Sequence, residues 1–547
     1  MSRDRGTALL FLMTVVLAVG TGGQAWGQKK KPAKAAADSG AASPVLERAI
    51  KLYDSEDYYS ASIELFKVVE GESGDSEPNK QKAEFWMGKT LYKLKFYSAS
   101  LTYFDRIVQK GAAHAHYNET LKWLASLSRE VADSAGVLDK IGKYNRAELD
   151  QPALETVRDE LYFLLGKYNY NKGKFKEAVS LFNAVSPKSE FYVQAKLFEG
   201  ATHVREYEAR PAVDSFKEVL RVAAESSDSK VKPYEDLANL SLARTFYSTG
   251  QFDLAAKYFD RVSMESYDWP NSLFEASWAN FMLKQAGYSK ALGHIHTLQA
   301  PYFDNFVKPE SVAEALTVKA TIYFYNCQYE RADEVINEFN DSVPQLAQEL
   351  KRLVESHQAN DAFFEFAQKI RNGESGLPAN TERAARAVLS DRSLARRFEY
   401  VQELDREMAQ HEKADPAWKS TQVANAVLTD ITLQRSLTVN ETGELAKARV
   451  TRLVGELANL IRRVLKIQYE ILQGQKGVLE KEVIEEQQAQ QNSKATEIGN
   501  VRVDDEHQYW PFRGEYWRDE LGYYRFRLVN RCEKSAPEGA PSGPTGP

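Results

Sequence analysis

Two cysteines in 547 residues are too few for a disulfide framework or for a four-ligand zinc site of thiolates. An excess of one charge is missing as well: 71 Lys and Arg stand against 77 Asp and Glu, a formal net charge of −6. Without clustered positive charge the chain lacks the electrostatic footprint of a nucleic-acid protein. Past the N-terminus no apolar run approaches the roughly 20 residues that a membrane-spanning helix requires. What the chain has is aromatic side chains, 28 Tyr, 26 Phe and 8 Trp, within a hydrophobic fraction of 43% that is ample for packed cores. Its length suits several domains or one long array.

Signatures of chemistry are also missing. No G-x-x-x-x-G-K-[ST], H-E-x-x-H or G-x-S-x-G occurs, and His411-Glu412 is followed by Asp415 where a second histidine would stand. His114/His116 and His294/His296 are H-x-H pairs, and residues two apart on a helix point in different directions, so they make poor joint metal ligands. No carboxylate pair stands out in an apolar setting. The sequence therefore predicts no enzyme, no metal and no cofactor.

The N-terminus reads as a signal peptide over 1–27: Arg3 and Arg5, an apolar core of about a dozen residues, then Ala25 and Gly27 before Gln28. No cysteine follows the core for lipidation, so the expected product is a periplasmic protein released by cleavage. Residues 28–43 are a flexible basic linker, low in complexity.

An internal repeat organises the next 300 residues. A small residue is followed by an aromatic nine positions on, a second small residue at twelve and a bulky one at sixteen. The pattern reads Gly88, Tyr97, Ser100, Phe104; Gly166, Phe175, Ala178, Phe182; and Ala243, Phe252, Ala255, Phe259. It continues as Ala279, Tyr288, Ala291, Ile295 and as Ala320, Tyr329, Ala332, Ile336. Gly200, Ala212 and Phe216 match with Ala209 at the aromatic place, and Ile50, Tyr59, Ser62, Phe66 match without the opening small residue. The steps between second small residues are 38, 78, 34, 43, 36 and 41. The 78 is a double step with a degenerate unit at 123–141. Small residues let two helices approach while bulky ones fill beside them, and Asn171-Lys172-Gly173-Lys174 and Ser248-Thr249-Gly250-Gln251 supply the reversals. No such unit buries its apolar face alone, so neighbours stack into a solenoid.

These residues resemble the tetratricopeptide repeat family over 44–340. The resemblance implies an all-α, TPR-like helical solenoid whose first helices line a concave groove. Positions one and four past the small residue are then groove-facing: Lys89 and Tyr92, Lys167 and Tyr170, Arg244 and Tyr247, with Lys93, Lys284 and Tyr325 beside them. Cations among tyrosines suit an acidic or C-terminal-carboxylate peptide.

From 341 to 500 helical composition continues as an extension. Val450, Leu453, Leu457, Leu460, Val464, Ile467 and Ile471 form a coiled-coil seam. Its partner is the earlier helix at 384–408, folded back antiparallel, or a second chain; the intramolecular pairing is the expectation. Residues 501–534 form an aromatic C-terminal cap, with eight aromatics between Tyr509 and Phe526. The turn Asp519-Glu520-Leu521-Gly522 predicts a small β-hairpin that caps the last helix, docks a partner through Trp510, Tyr516, Trp517, Arg525 and Arg527, or does both. Cys327 and Cys532 could pair and fasten this hairpin to the last repeat. Residues 535–547 read as a disordered tail.

The overall layout resembles the periplasmic tetratricopeptide subunits of myxobacterial gliding-motility envelope complexes. That resemblance implies a scaffold whose partners are other envelope proteins, periplasmic or of the inner or outer membrane. An adaptor for outer-membrane protein or pilus assembly, and a cell-wall enzyme with an unrecognised site, are the alternatives.

Overall fold

The computed structural model describes residues 40–303, 307–488, 514–526 and 528–532. The expected signal peptide, most of the expected basic linker and the expected C-terminal tail lie outside these residues. The described chain holds 22 α-helices and no strand, and no helix long and apolar enough to cross a membrane.

Helices pair in sequence order: α1 (Pro44–Asp54) with α2 (Tyr58–Val69), and α3 (Glu77–Lys93) with α4 (Tyr97–Lys110). Then α5 (Tyr117–Glu130) is followed by two fragments, α6 (Val137–Ile141) and α7 (Arg146–Leu149), in place of a full second helix. Regular pairing resumes with α8 (Arg158–Asn171) and α9 (Phe175–Phe182), α10 (Tyr192–Arg205) and α11 (Ala209–Glu225), and α12 (Lys232–Ser248) and α13 (Phe252–Phe259). The last pairs are α14 (Trp269–Met282) with α15 (Gln285–Leu298) and α16 (Pro309–Tyr325) with α17 (Tyr329–Ser356).

Packing explains the repeat. A Cβ built on Gly88, Gly166 or Gly200 would lie 2.7, 2.6 or 2.5 Å from the ring of Phe104, Phe182 or Phe216. The bulky residue at sixteen thus lies flat on the small one, and each of these fully buried rings stabilises its pair by about 2–3 kcal/mol. Where the ring is replaced by Ile295 or Ile336, the small residue is Ala279 or Ala320. The aromatic at nine plays a different part, since Tyr97, Phe175, Phe252 and Tyr329 each open the second helix of a pair. Between the helices one residue turns left-handed, at Lys95 (φ 63°), Gly173 (73°), Tyr207 (62°), Gly250 (76°) and Cys327 (53°). At that residue the chain closes a paired set of bonds, for example Phe96 N–H to Leu91 O and Lys95 N–H to Tyr92 O. This is the Schellman closure of a helix C-terminus.

The same rule corrects the first unit by one position. Glu56 is its left-handed residue (φ 64°) and Tyr58 opens α2. Its register is therefore Ala49, Tyr58, Ala61, Leu65, with Ala49, Ala61 and Leu65 fully buried, rather than Ile50, Tyr59, Ser62, Phe66. The opening small residue is present after all.

Beyond the pairs lie α18 (Asn360–Asn372), α19 (Ala379–Leu389), α20 (Arg392–Lys413), the short α21 (Pro416–Lys419) and α22 (Gln422–Gln488). With 67 residues at 1.5 Å each, α22 is about 100 Å long. Its start, Val423 to Ile431, is buried with Leu46, Leu65, Phe96 and Trp418 of the N-terminal pairs. The 450–471 seam is buried too, within the core that holds α16–α19. Its partner differs from the expected helix at 384–408. The seam runs antiparallel to α17: Lys447 Nζ donates to Gln358 O at 2.7 Å, just past the end of α17, while Gly474 abuts the Tyr329 ring at its start. The 384–408 region, mostly α20, lies antiparallel along the preceding part of α22, through Arg435–Asp405, Arg397–Glu441 and Arg449–Asp391.

Bridging distant units is the work of α20. Glu407 accepts from Ser98 N–H (3.1 Å) and Oγ (2.7 Å) at the start of α4, and Glu403 accepts from Ala132 N–H (3.2 Å). Fifteen residues back along the helix, roughly 22 Å, Arg392 pairs with Asp268 (2.8 Å) ahead of α14. Ser98 and Asp268 are thus brought onto one helix, so the array curves back on itself.

Candidate partner-binding surface

Three of the five groove cations already have partners within the chain. Lys89 Nζ lies 3.4 Å from the Trp86 ring centroid and 4.8 Å from that of Tyr53, and burial among these rings holds its pKa below the usual lysine range. Lys167 Nζ bonds Asp133 Oδ2 at 2.8 Å, an oxygen it shares with Arg396 of α20. Arg244 grips Glu275 with two bonds of 2.7 and 2.6 Å. The groove tyrosines repeat a contact inside each unit, meeting the aromatic that opens the next helix: Tyr92 on Tyr97 (5.4 Å), Tyr170 on Phe175 (6.1 Å), Tyr247 on Phe252 (5.3 Å). Lys93 and Lys284 are exposed, the latter at a left-handed φ of 56°. Tyr325 is exposed and stacks on Phe281. These residues are therefore distributed along the array rather than gathered into one cradle, and three of the cations are engaged by acids or rings.

The C-terminal segment is brought together more closely. Residues 514–526 run antiparallel along α15, and 528–532 lie at the α16–α17 turn. Gly522 N–H donates to Thr297 Oγ1 (3.1 Å), Phe526 N–H to Ser289 O (3.1 Å) and Arg531 N–H to Asn326 O (3.1 Å). Gln328 Nε2 donates to Val529 O at 2.7 Å. A Cβ on Gly293 would lie 1.7 Å from the Tyr524 carbonyl oxygen, so only glycine admits the extended segment there. Cys327 and Cys532 are disulfide-bonded. The expected turn is present, with Gly522 at φ 87°, but its arms form no hairpin ladder among the described residues. Their donors go to α15 and the α16–α17 turn instead, which is why the two arms do not pair with each other. Among the described residues the segment lies on α15 and the α16–α17 turn, while α22 lies along α17.

Two faces result. Leu521 is buried, its neighbour Gly522 lies beside Trp269, and Tyr516, Tyr524, Phe526 and Leu528 pack onto the helical core. Tyr516 stacks on His296 at 4.9 Å, and burial first, then Lys319, pushes that imidazole down to about 4. Facing solvent are Trp517 (55% exposed), Tyr523 (81%), Arg518 and Arg525. Tyr302, 55% exposed, joins Pro301, Tyr516, Arg518 and Leu521 around a shallow cleft. Trp510 and Arg527 lie outside the described residues. Sequence reasoning missed Tyr302 and Tyr523, whose signal was only that they are aromatics in short turns.

The histidine pairs do not converge. His294 is buried near Asp260, with burial driving its pKa down to about 4, while His296 meets the aromatic segment. His116 pairs with Glu119 and His114 approaches Glu84. His203, Glu206 and Glu208 could present three ligand atoms to a metal ion, but His203 Nδ1 is already bonded to Glu208 at 2.7 Å.

No known protein family matches the chain, and no curated protein does. Solved structures that match include a circular tandem repeat protein with novel repeat topology and enhanced subunit contact surfaces. It is 14% identical, with 77% of this chain and 96% of that one covered at a TM-score of 0.12. A likeness of that size carries no argument, and the helical repeat solenoid rests on this chain's own helix order and packing.

Proposed function

We propose that the chain is a non-enzymatic periplasmic scaffold, a tetratricopeptide-type solenoid that joins proteins within an envelope-spanning complex such as a gliding-motility machine. In this reading 44–340 is the array, 341–500 braces it, and 501–534 presents the binding face. A disulfide that closes the C-terminal segment onto the array suits an oxidising compartment. The paired groove cations favour an inner face used by the chain itself, and direct partner binding outward.

One observation carries the reading: Trp517, Tyr523 and two arginines face solvent on backbone pinned to α15 and tied by a disulfide, with the exposed Tyr302 beside them. Exposed aromatics and arginine on a rigid support are the residue types that dominate interface energetics. In full-length chain with a photo-crosslinker at Arg518, Trp517→Ala with Tyr523→Ala lowers crosslinking to envelope proteins at least about tenfold. The melting temperature stays unchanged. Undiminished crosslinking would remove this face from the proposal.

A further inference from the structure

The last third of α22 carries a second apolar stripe beside its buried seam. Leu465, Leu472 and Leu479 recur every seven residues and are 58%, 52% and 58% exposed, with Tyr469 at 63% between them. The stripe lies about one residue step, roughly 100°, around the helix from the seam that α17 occupies. Past Gly474, which abuts Tyr329, residues 476 and 478–480 are exposed while the helix continues to Gln488. A leucine every seven residues along one continuous helix suits another helix laid alongside.

Charge selects both the occupant and its direction. Arg462 and Lys466 flank the start of the stripe, whereas toward its far end Glu480, Glu482, Glu485 and Glu486 outnumber Lys476, which pairs with Glu480 at 3.6 Å, and Lys481. A parallel pair of these helices sets like charge on like. An antiparallel pair sets each basic end against the other's acidic end. We propose that two copies of this chain associate through the stripe as an antiparallel, two-fold pair centred on Leu472. Leu472 then meets its own counterpart and Leu465 meets Leu479 of the second copy, the self-complementary register that two-fold symmetry demands. Three leucine layers and a tyrosine bury less than the roughly 1,200 Å² of a standard interface, so the pair is weak and concentration-dependent. The inference is independent of which partners the scaffold joins.

Light scattering of the full chain with its disulfide intact, from about 1 to about 100 µM, should show the mass double. Leu472→Glu should hold it at the single-chain mass with an unchanged melting temperature, and mixing Leu472→Glu with Leu472→Lys should restore the doubled mass. Under oxidation Leu472→Cys should crosslink to itself and Leu465→Cys should not. A single-chain mass throughout overturns the proposal, whether the chain's own 489–513 or a different protein then covers the stripe. So does a Leu472→Glu chain that still doubles, a mixture that fails to recover, or a Leu465→Cys chain that crosslinks to itself as readily as Leu472→Cys.

Discussion

Glu407 is 4% exposed, wedged between α20 and the first turn of α4. Burial pushes its carboxyl up to about 7 from 4.5, and Glu403 adds to the shift, while the bonds from Ser98 oppose it. The folded chain therefore holds this proton where the unfolded chain has released it. Its contribution to stability is complete below about 4.5 and is lost as pH rises through about 7, a loss of about 3 kcal/mol once complete. Glu407→Gln, which cannot ionise, should melt higher than the native chain at pH 8 and close to it at pH 5. An offset that is the same at both pH values would rule the account out. Other single residues are readable from sequence to different degrees. Gly166 and Phe182 can be identified because their spacing is local and enforced by a ring lying on a Cα. Arg244 can be placed on a helix face, but not paired, because Glu275 lies 31 residues on and belongs to the next pair of helices. The first unit reads as lacking its small residue, with Ile50 at that place, because Tyr58 and Tyr59 fit the pattern equally until the left-handed Glu56 fixes which of them opens α2.

Elements are legible by face and not by neighbour. The seam at 450–471 announces an apolar stripe through its steps of three and four, and the stripe is buried. Periodicity carries no word about what lies across it, and α17, which runs on past the repeat without a break to Ser356, is closer than the helix at 384–408. The aromatic segment fails differently. Its composition signals strands, yet an isolated hairpin is marginal in water, and the backbone finds better acceptors in Ser289 and Asn326 than across its own turn. Its attachment depends on Cys327 and Cys532, 205 residues apart. Removing a native disulfide costs about 2–5 kcal/mol, more for long loops. Cys532→Ser should lower the melting temperature and speed hydrogen exchange at the Phe526 and Arg531 amides, while the Leu91–Phe96 closure exchanges as before. Unaltered protection at those two amides would mean that the helix contacts hold the segment unaided.

At the scale of the whole molecule the repeat arithmetic predicts an array and stops there. Spacing cannot say that Ser98 and Asp268 share one helix, because that depends on side chains 309 and 124 residues away in sequence. The brace made by α20 and α22 joins the first pairs to the last, and its N-terminal anchor is Trp418. The indole is 2% exposed, stacks on Phe96 with ring centroids 5.7 Å apart, and donates to Ser62 Oγ at 2.9 Å. Deleting a side chain so enclosed costs about 3–5 kcal/mol. If the pairs formed a stack stabilised only between neighbours, the cost would spread from α1–α4 into α5 and α8 through their shared contacts. If the brace couples the ends, Trp418→Ala should loosen α1–α4 together with the start of α22, and leave the 450–471 seam protected by α17. Hydrogen exchange across the full chain distinguishes the two. Faster exchange at α1–α4 and 423–431, with 450–471 unchanged, marks a braced array, whereas loosening that decays pair by pair from the N-terminus marks an ordinary solenoid.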